Sequence, residues 1–411
     1  MKGEMTKEAL CGAYRVIELA DETGVYCGKL LADLGADVIK VEPPGGDKTR
    51  SWPPFFHDEV GIEKSLYFLY YNTNKRSITL NLECEEGRRM LNRLVRTADV
   101  LVETFPPGYL QSQGLGYGIL SQLNPGLVMT SITPFGQTGP YKDRRSSDLV
   151  AMAMSGYMQV TGEPDGSPLR FGMDFSNMAA SQCAAAATMV ALYHRNAVSG
   201  KGQHIDISVH EATTSYTQDT GAVPFWRLGK INVLRMGIKS RRGFPWGGFE
   251  CKDGWVFIGL VTPPHWEILA NWVYEKTGDK EILNDMYKGP GYVRTDYIDI
   301  LDRLVTEMTK KFTKDELYHE GQRRGIVTLP VATVEDLAHC PQLNARDYFA
   351  EVEHPVLGKL MCPTSPFLVE GARMPMRKAA PLLGEANEDV YSGELGFSKQ
   401  ELATMKAAHI I

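Results

Sequence analysis

The chain has 411 residues, 43% of them hydrophobic and 23% charged, with a formal net charge of −6. That length supports a large core and more than one domain, because single cores stop growing beyond roughly 250 to 300 residues. The acidic balance argues against a nucleic-acid partner, and the start MKGEMTKEALCG carries no charged-then-apolar leader and no span suited to a membrane, so a cytoplasmic protein is expected.

In chain order, YRVIEL (14–19) predicts a strand, and Cys27, Leu30, Leu31 and Leu34 recur at helical spacing up to Gly35. ADVIKVE (36–42) predicts the next strand, followed by the loop PPGGD. SITLNL (77–82), a helix through Met90, Leu91, Leu94 and Val95, then DVLVETF (99–105) and LVMTSITPF (127–135) continue the alternation. Strands alternating with helices predict a parallel sheet covered on both faces, with ligands at the carboxyl ends of the strands. The loops after Leu19, Glu42, Glu103 and Thr133 are therefore the places to search. A nicotinamide dehydrogenase does not fit: ADETGVYCG offers only a Gly24-x-x-x-Gly28 spacing where a GxGxxG turn belongs. Glu42 matches the position of a ribose-binding acid, but GLGYG (114–118) follows no strand and reads as a turn.

Asp174 stands just before an Ala-rich stretch in which Ala179, Ala180, Cys183, Ala186, Ala187, Val190 and Ala191 form one stripe. The stripe predicts a central helix whose small residues let neighbours approach closely. Asp174 has two readings: an N-cap accepting the first free N–H groups, or a carboxylate presented there as a nucleophile.

GKGQHIDISVHEA predicts a turn and then a strand through Ile205, Ile207 and Val209, with His204 and His210 on one face; packing or surface roles suit them better than a metal site. Seven scattered cysteines without a CxxC pair read as reduced thiols, so neither a disulfide frame nor a zinc site is expected. Arg227, Lys230, Arg235, Lys239, Arg241 and Arg242 follow with no acid among them, either a solvated linker or a funnel for an anion. Trp226, Phe244 and Trp246 in this segment could line an acyl pocket or belong to a core. FECKDGWVFIGL predicts a hairpin around Lys252-Asp253-Gly254, with helices to about residue 325, and IVTLPVATVEDL restores a strand-then-helix pattern. The expected domains are 1–225, a smaller 226–330 with the basic linker, and 331–411 returning to the first.

Seven stretches then take on a joint meaning: CGKLLADLGADVIKVEPPGGD, NTNKRSITLNL, ADVLVETFPPGYLQSQGLGY, SITPFGQTGPYKDR, SGYMQVTGEPDGSPLRFGMD, SGKGQHIDISVHEA and PQLNARDYFAEVEHPVLGKL. In this order they resemble the class III CoA-transferase (CaiB/BaiF) family, which includes formyl-CoA:oxalate and crotonobetainyl-CoA:carnitine CoA-transferases. The resemblance implies an α/β fold: a Rossmann-like parallel-sheet, CoA-binding large domain formed by both chain ends, a smaller α/β domain, and two chains interlocked as linked rings.

The resemblance also places the catalytic aspartate on Asp174, as a covalent acceptor passing CoA from an acyl-CoA donor, such as succinyl-CoA, to a carboxylic acid. Coenzyme A and its esters are then substrates, with no tightly bound cofactor and no metal. It assigns CoA contacts to Asp21, Glu22, Lys75, Thr104, Phe105 and Arg145, with Lys75 and Arg145 supplying charge to phosphates and Phe105 an apolar surface. The chain departs from the family pattern at the acidic pair Asp21-Glu22, at Pro43, at Thr104 and at Ser112, which alters the expected CoA pocket. Two assemblies follow, a homodimer or a heteromer with a related transferase chain, in which this chain is a partner-dependent subunit of the succinyl-CoA:benzylsuccinate kind. An acyl-CoA racemase ranks last, because Ser147 occupies the place of its acid/base histidine.

Overall fold

The computed structural model describes residues 10–217, 222–239, 243–371 and 373–411; Arg241 and Arg242 of the basic run lie outside the described residues. The chain divides into two compact units, one drawn from Met1–Tyr157, Phe171–Val223 and Gln342–Ile411, the other from Met158–Arg170 and Pro224–Pro341.

The first unit is built on six parallel strands: β1 (Arg15–Leu19), β2 (Asp37–Glu42), β3 (Arg76–Thr79), β4 (Val100–Glu103), β5 (Val128–Thr133) and β6 (His204–Ser208). Their order is β3-β2-β1-β4-β5-β6, with the reversal between β1 and β4. That reversal opens a crevice at the strands' carboxyl ends, where doubly wound sheets bind ligands. Successive side chains of a strand point to opposite faces, and the sequence fills both. Ile17, Ile39, Leu101 and Met129 enter one core, and Val16, Val38, Val100 and Val128 the other. The Ala-rich stretch forms the helix Phe175–His194, which packs on the second core through Ala180, Ala184 and Ala191. The chain's last segment closes the β3 edge, where Asn387 Oδ1 accepts the Thr79 N–H at 2.9 Å and Tyr391 donates its hydroxyl to Thr79 O at 2.7 Å.

Two glycines explain the first βα turn. A Cβ on Gly24 would meet Thr104 Cγ2 at 2.7 Å, and one on Gly28 would fall 1.5 Å from Glu18 Oε2. The Gly-x-x-x-Gly spacing thus lets the helix Val25–Asp33 press against the sheet and a buried carboxylate; it makes no dinucleotide turn. The strand predicted through Val209 ends at Ser208, and Val209 begins the helix Val209–Thr217.

The second unit contains an antiparallel sheet, β7 (Trp246–Cys251), β8 (Gly254–Gly259) and β9 (Val327–Pro330). Lys252 and Asp253 turn the β7–β8 hairpin, as their sequence signals. The helices Pro263–Thr277, Ile298–Thr309 and Lys314–Arg324 bring Trp266, Trp272, Leu304 and Leu317 to its core. Phe244 belongs to that core at 2% exposure, whereas Trp226 and Trp246 are each 48% exposed. The basic run is partly spent internally: Arg235 binds the carbonyl oxygens of Glu163 and Gly166 at 3.2 and 3.1 Å, and Lys239 pairs with Asp302. Back in the first unit, β10 (Phe349–His354) and β11 (Gly358–Pro363) form an antiparallel hairpin.

Candidate active site

Asp174 occupies the N-cap position of the helix Phe175–His194, yet its side chain makes no capping bond. The cap comes from elsewhere: Asp148 Oδ1 accepts the Ser176 N–H at 2.7 Å. Asp148 is itself positioned at the first turn of the helix Asp148–Met154, whose N-cap Ser147 accepts the Val150 N–H. With its neighbour doing the capping, the half-buried Asp174 carboxylate turns to a different donor, the Tyr67 hydroxyl, 2.9 Å from Oδ2. Burial, reinforced by the Asp174 charge, pushes the Tyr67 phenol far above its ordinary pKa, so it remains a proton donor. Met173, immediately before, has φ +73°, a strained backbone for a non-glycine residue that sets the chain's entry into the site.

Aromatic rings cluster on the two elements that meet here. Tyr67 lies on the helix Leu66–Tyr71, with ring centroids 5.2 Å from Trp52 and 4.6 Å from Tyr71. On Asp174's own chain segment, the Phe171 and Phe175 rings lie 5.3 Å apart, and Phe175 also meets Tyr157 at 5.1 Å and Tyr216 at 5.5 Å.

Asp21 and Thr104 are joined: Thr104 Oγ1 donates to Asp21 Oδ1 and accepts the Asp21 N–H, each at 3.0 Å. Lys48, not singled out by the sequence, reaches Asp21 at 3.1 Å and Glu22 at 2.7 Å. One ammonium thus serves two carboxylates; burial and the neighbouring Asp21 raise the Glu22 pKa, while Lys48 and the hydrogen bonds of Thr23 and Thr104 outweigh burial to lower that of Asp21. Glu22 is close enough to Tyr67 for its charge to act on the phenol. Phe105 stacks on Tyr109 at 4.8 Å, and its N–H is held by the buried Glu103 carboxylate at 2.7 Å. Arg145 is exposed on the loop before Ser147 and makes no ion pair among the described residues.

Lys75 has a different setting from the one expected of a phosphate ligand. Its ammonium is fully buried, bonded to both Glu18 oxygens at 3.0 and 2.8 Å, to Val25 O at 2.9 Å and to Asn72 Oδ1 at 3.1 Å. Lys40 adds a bond to Ala20 O at 2.9 Å and pairs with Glu18 at 3.4 Å. These two lysines grip both ends of the Ala20–Val25 turn that carries Asp21 and Glu22. Glu42 is likewise structural, clasped by Arg50 Nε and Nη2 at 2.7 and 2.8 Å.

The two histidines do not share a strand face. His204 begins β6 and meets Ser131 Oγ at 2.9 Å, whereas His210 lies on the following helix with Nε2 3.2 Å from Met154 O. Among the described residues no group of three or more His, Cys, Asp or Glu side chains could hold a metal ion, and no helix is long and apolar enough to cross a membrane. Tyr67, Lys48 and Asp148 are the site residues that sequence reasoning missed. Asp148 carried a readable signal in SSD before an apolar run, a capping pattern. Tyr67 carried none, being one aromatic among several in SLYFLYY.

Comparison with known proteins gives the class: the doubly wound sheet and its crevice belong to a transferase. The chain belongs to CoA-transferase family III, whose family pattern matches residues 13–387. It is similar to the succinyl-CoA–D-citramalate CoA-transferase of Chloroflexus aurantiacus, 32% identical over 97% of each chain. It is also similar to the succinyl-CoA:(R)-benzylsuccinate CoA-transferase subunit BbsE of Thauera aromatica, 34% identical over 92% of each. Among solved structures, a CaiB/BaiF family protein from Brucella suis superposes with a TM-score of 0.83 at 31% identity, covering 94% of this chain and 100% of that one. The protein is therefore a class III CoA-transferase, an enzyme that moves CoA between an acyl-CoA and a carboxylate.

Proposed function

We propose that this chain transfers CoA through a covalent intermediate on Asp174, with succinyl-CoA as donor. The observation that carries the reading is the division of labour at the helix N-terminus: Asp148 takes the Ser176 N–H, and the Asp174 carboxylate, held at one oxygen by Tyr67, keeps the other for attack. In the donor half-reaction, Asp174 attacks the thioester carbonyl, the C–S bond breaks, and a mixed anhydride forms with release of CoA thiolate. The thiolate attacks the Asp174 acyl carbon, expelling succinate and leaving an aspartyl-CoA thioester. The acceptor carboxylate then displaces CoA thiolate to form a second anhydride, and the thiolate attacks the acceptor's carbonyl, regenerating Asp174. Each intermediate is an activated acyl group, so the thioester's free energy is retained provided water is kept away.

The Asp21–Glu22–Thr104 turn, Phe105 and Arg145 form the proposed CoA surface, with Lys48 offsetting the two acids. Lys75 supports it from beneath. The assembly that fits the family is an interlocked dimer. A partner-dependent subunit is a second reading, favoured by relatives that are themselves named as subunits: BbsE and the succinyl-CoA–L-malate CoA-transferase beta subunit of Chloroflexus aurantiacus. A racemase is not supported, because the Ser147 hydroxyl caps a helix. The test is exchange of labelled succinate into succinyl-CoA by the purified chain without acceptor. Wild type is expected to catalyse it and Asp174→Asn to lose it at unchanged fold; exchange surviving in Asp174→Asn contradicts the nucleophile.

A further inference from the structure

We infer that the acceptor acid carries an aromatic ring, seated on the cluster formed by Phe171, Phe175, Tyr157 and Tyr216; this rests on Asp174 being the acyl-accepting residue. Asp174 is flanked in the chain by two of these rings, Phe171 three residues before it and Phe175 immediately after. The four stack edge-on or tilted, at centroid distances of 5.1 to 5.9 Å. Among the described residues none of them belongs to a buried core cluster of this unit. They pack on one another and remain accessible, Phe171 at 48% and Tyr216 at 39% exposure. Large apolar area left outside a core costs hydration free energy, and beside a nucleophile it matches the usual build of a ligand site, apolar walls with a few fixed polar groups. The polar groups here are the Asp174 carboxylate and the Tyr67 hydroxyl.

Tilted and edge-on ring pairs are favoured by the aromatic quadrupole, so this wall suits an aryl substituent on an acid whose carboxylate meets Asp174. A short acid would leave the wall wet and gain nothing from it. Tyr216 is fixed by a hydrogen bond from its hydroxyl to Gln182 Oε1 at 3.2 Å, so its ring is held in place before a substrate arrives.

The test compares 3-phenylpropanoate with propanoate as acceptors, two acids that differ by the ring alone, with succinyl-CoA as donor. Wild type is expected to show kcat/KM at least tenfold higher for 3-phenylpropanoate. Phe171→Ala and, separately, Tyr216→Ala are expected to bring that ratio down at least fivefold, mainly through the phenyl acid's KM. Both side chains are partly exposed, so neither change threatens the fold. A wild-type ratio near one, transfer to neither acid, or a ratio that both variants leave unchanged overturns the inference. Trapping of wild-type Asp174 by succinyl-CoA and hydroxylamine is scored in parallel, so failure of the nucleophile itself is seen separately from failure of the aromatic wall.

Discussion

Asp148 Oδ1 accepts the Ser176 N–H at 2.7 Å, taking the role that position alone would give to Asp174. An N-cap contributes about 0.5 to 2 kcal/mol, and its loss leaves a helix donor that the nearest carboxylate will satisfy. In Asp148→Ala that carboxylate is Asp174. The variant is expected to lose about 1 kcal/mol of stability and to lose far more of its donor exchange than that destabilisation accounts for. Denaturant unfolding and succinate exchange measured on one sample check both; full exchange in a destabilised variant contradicts the division of labour.

Tyr67 donates its hydroxyl to Asp174 Oδ2 at 2.9 Å. A hydrogen bond to a charged group is worth about 1.5 to 3 kcal/mol, or roughly a 10- to 150-fold change in rate if it is lost in the transition state. Tyr67→Phe keeps the ring contacts with Trp52 and Tyr71 and removes only that donor. Its kcat is expected to fall at least tenfold with the KM for acyl-CoA changed little.

The Glu18–Lys75 pair is fully buried, and its neighbour Gly28 leaves the room it needs. Removing one partner of a buried pair costs up to about 3 to 5 kcal/mol, while removing both is far milder; without Lys75, Glu18 keeps only the longer contact to Lys40 at 3.4 Å. Lys75→Met should therefore be strongly destabilised, and Glu18→Gln combined with Lys75→Met should recover part of the loss. Equal urea midpoints for the single and double variants would sink this account.

Glu103 is buried at the end of β4, and that burial, the largest influence, pushes its pKa up to about 7, with Asp206 and Asp21 adding to it and Ser131 and the Phe105 N–H opposing. The folded chain thus keeps a proton that the unfolded chain releases near its ordinary value of about 4.3. The associated stability, on the order of 3 kcal/mol, is present below that value and is lost as pH rises through about 7. Glu103→Gln holds the neutral form at every pH. Wild type is expected to lose stability between about pH 4 and 7 relative to this variant, read as the difference in urea midpoints; a constant difference contradicts it.

The strands of the parallel sheet were legible because apolar, β-branched-rich runs such as VIEL and DVIKVE alternate with helical spacing, the second of them set between Gly35 and Pro43. Asp174 was legible by its place before the Ala-rich helix and by resemblance, but its geometry was not. That Asp174 does not cap its own helix rests on Asp148, and its hydrogen bond on Tyr67, 26 and 107 residues away in the chain. Lys75 shows the same limit. Its residue type suits a phosphate, and only the fold reveals that Glu18, opposite it across Gly28, has already claimed the charge. The strand expected to run through Val209 misled because ISVHEA alternates for a few residues before the helical period sets in.

The most direct test of the central claim is a peptide map of the purified chain after incubation with succinyl-CoA and hydroxylamine. A hydroxamate is expected on Asp174, absent without the thioester and absent when the chain is unfolded first. A map in which succinyl-CoA binds and is consumed while Asp174 stays unmodified, or in which another carboxylate carries the label, contradicts it.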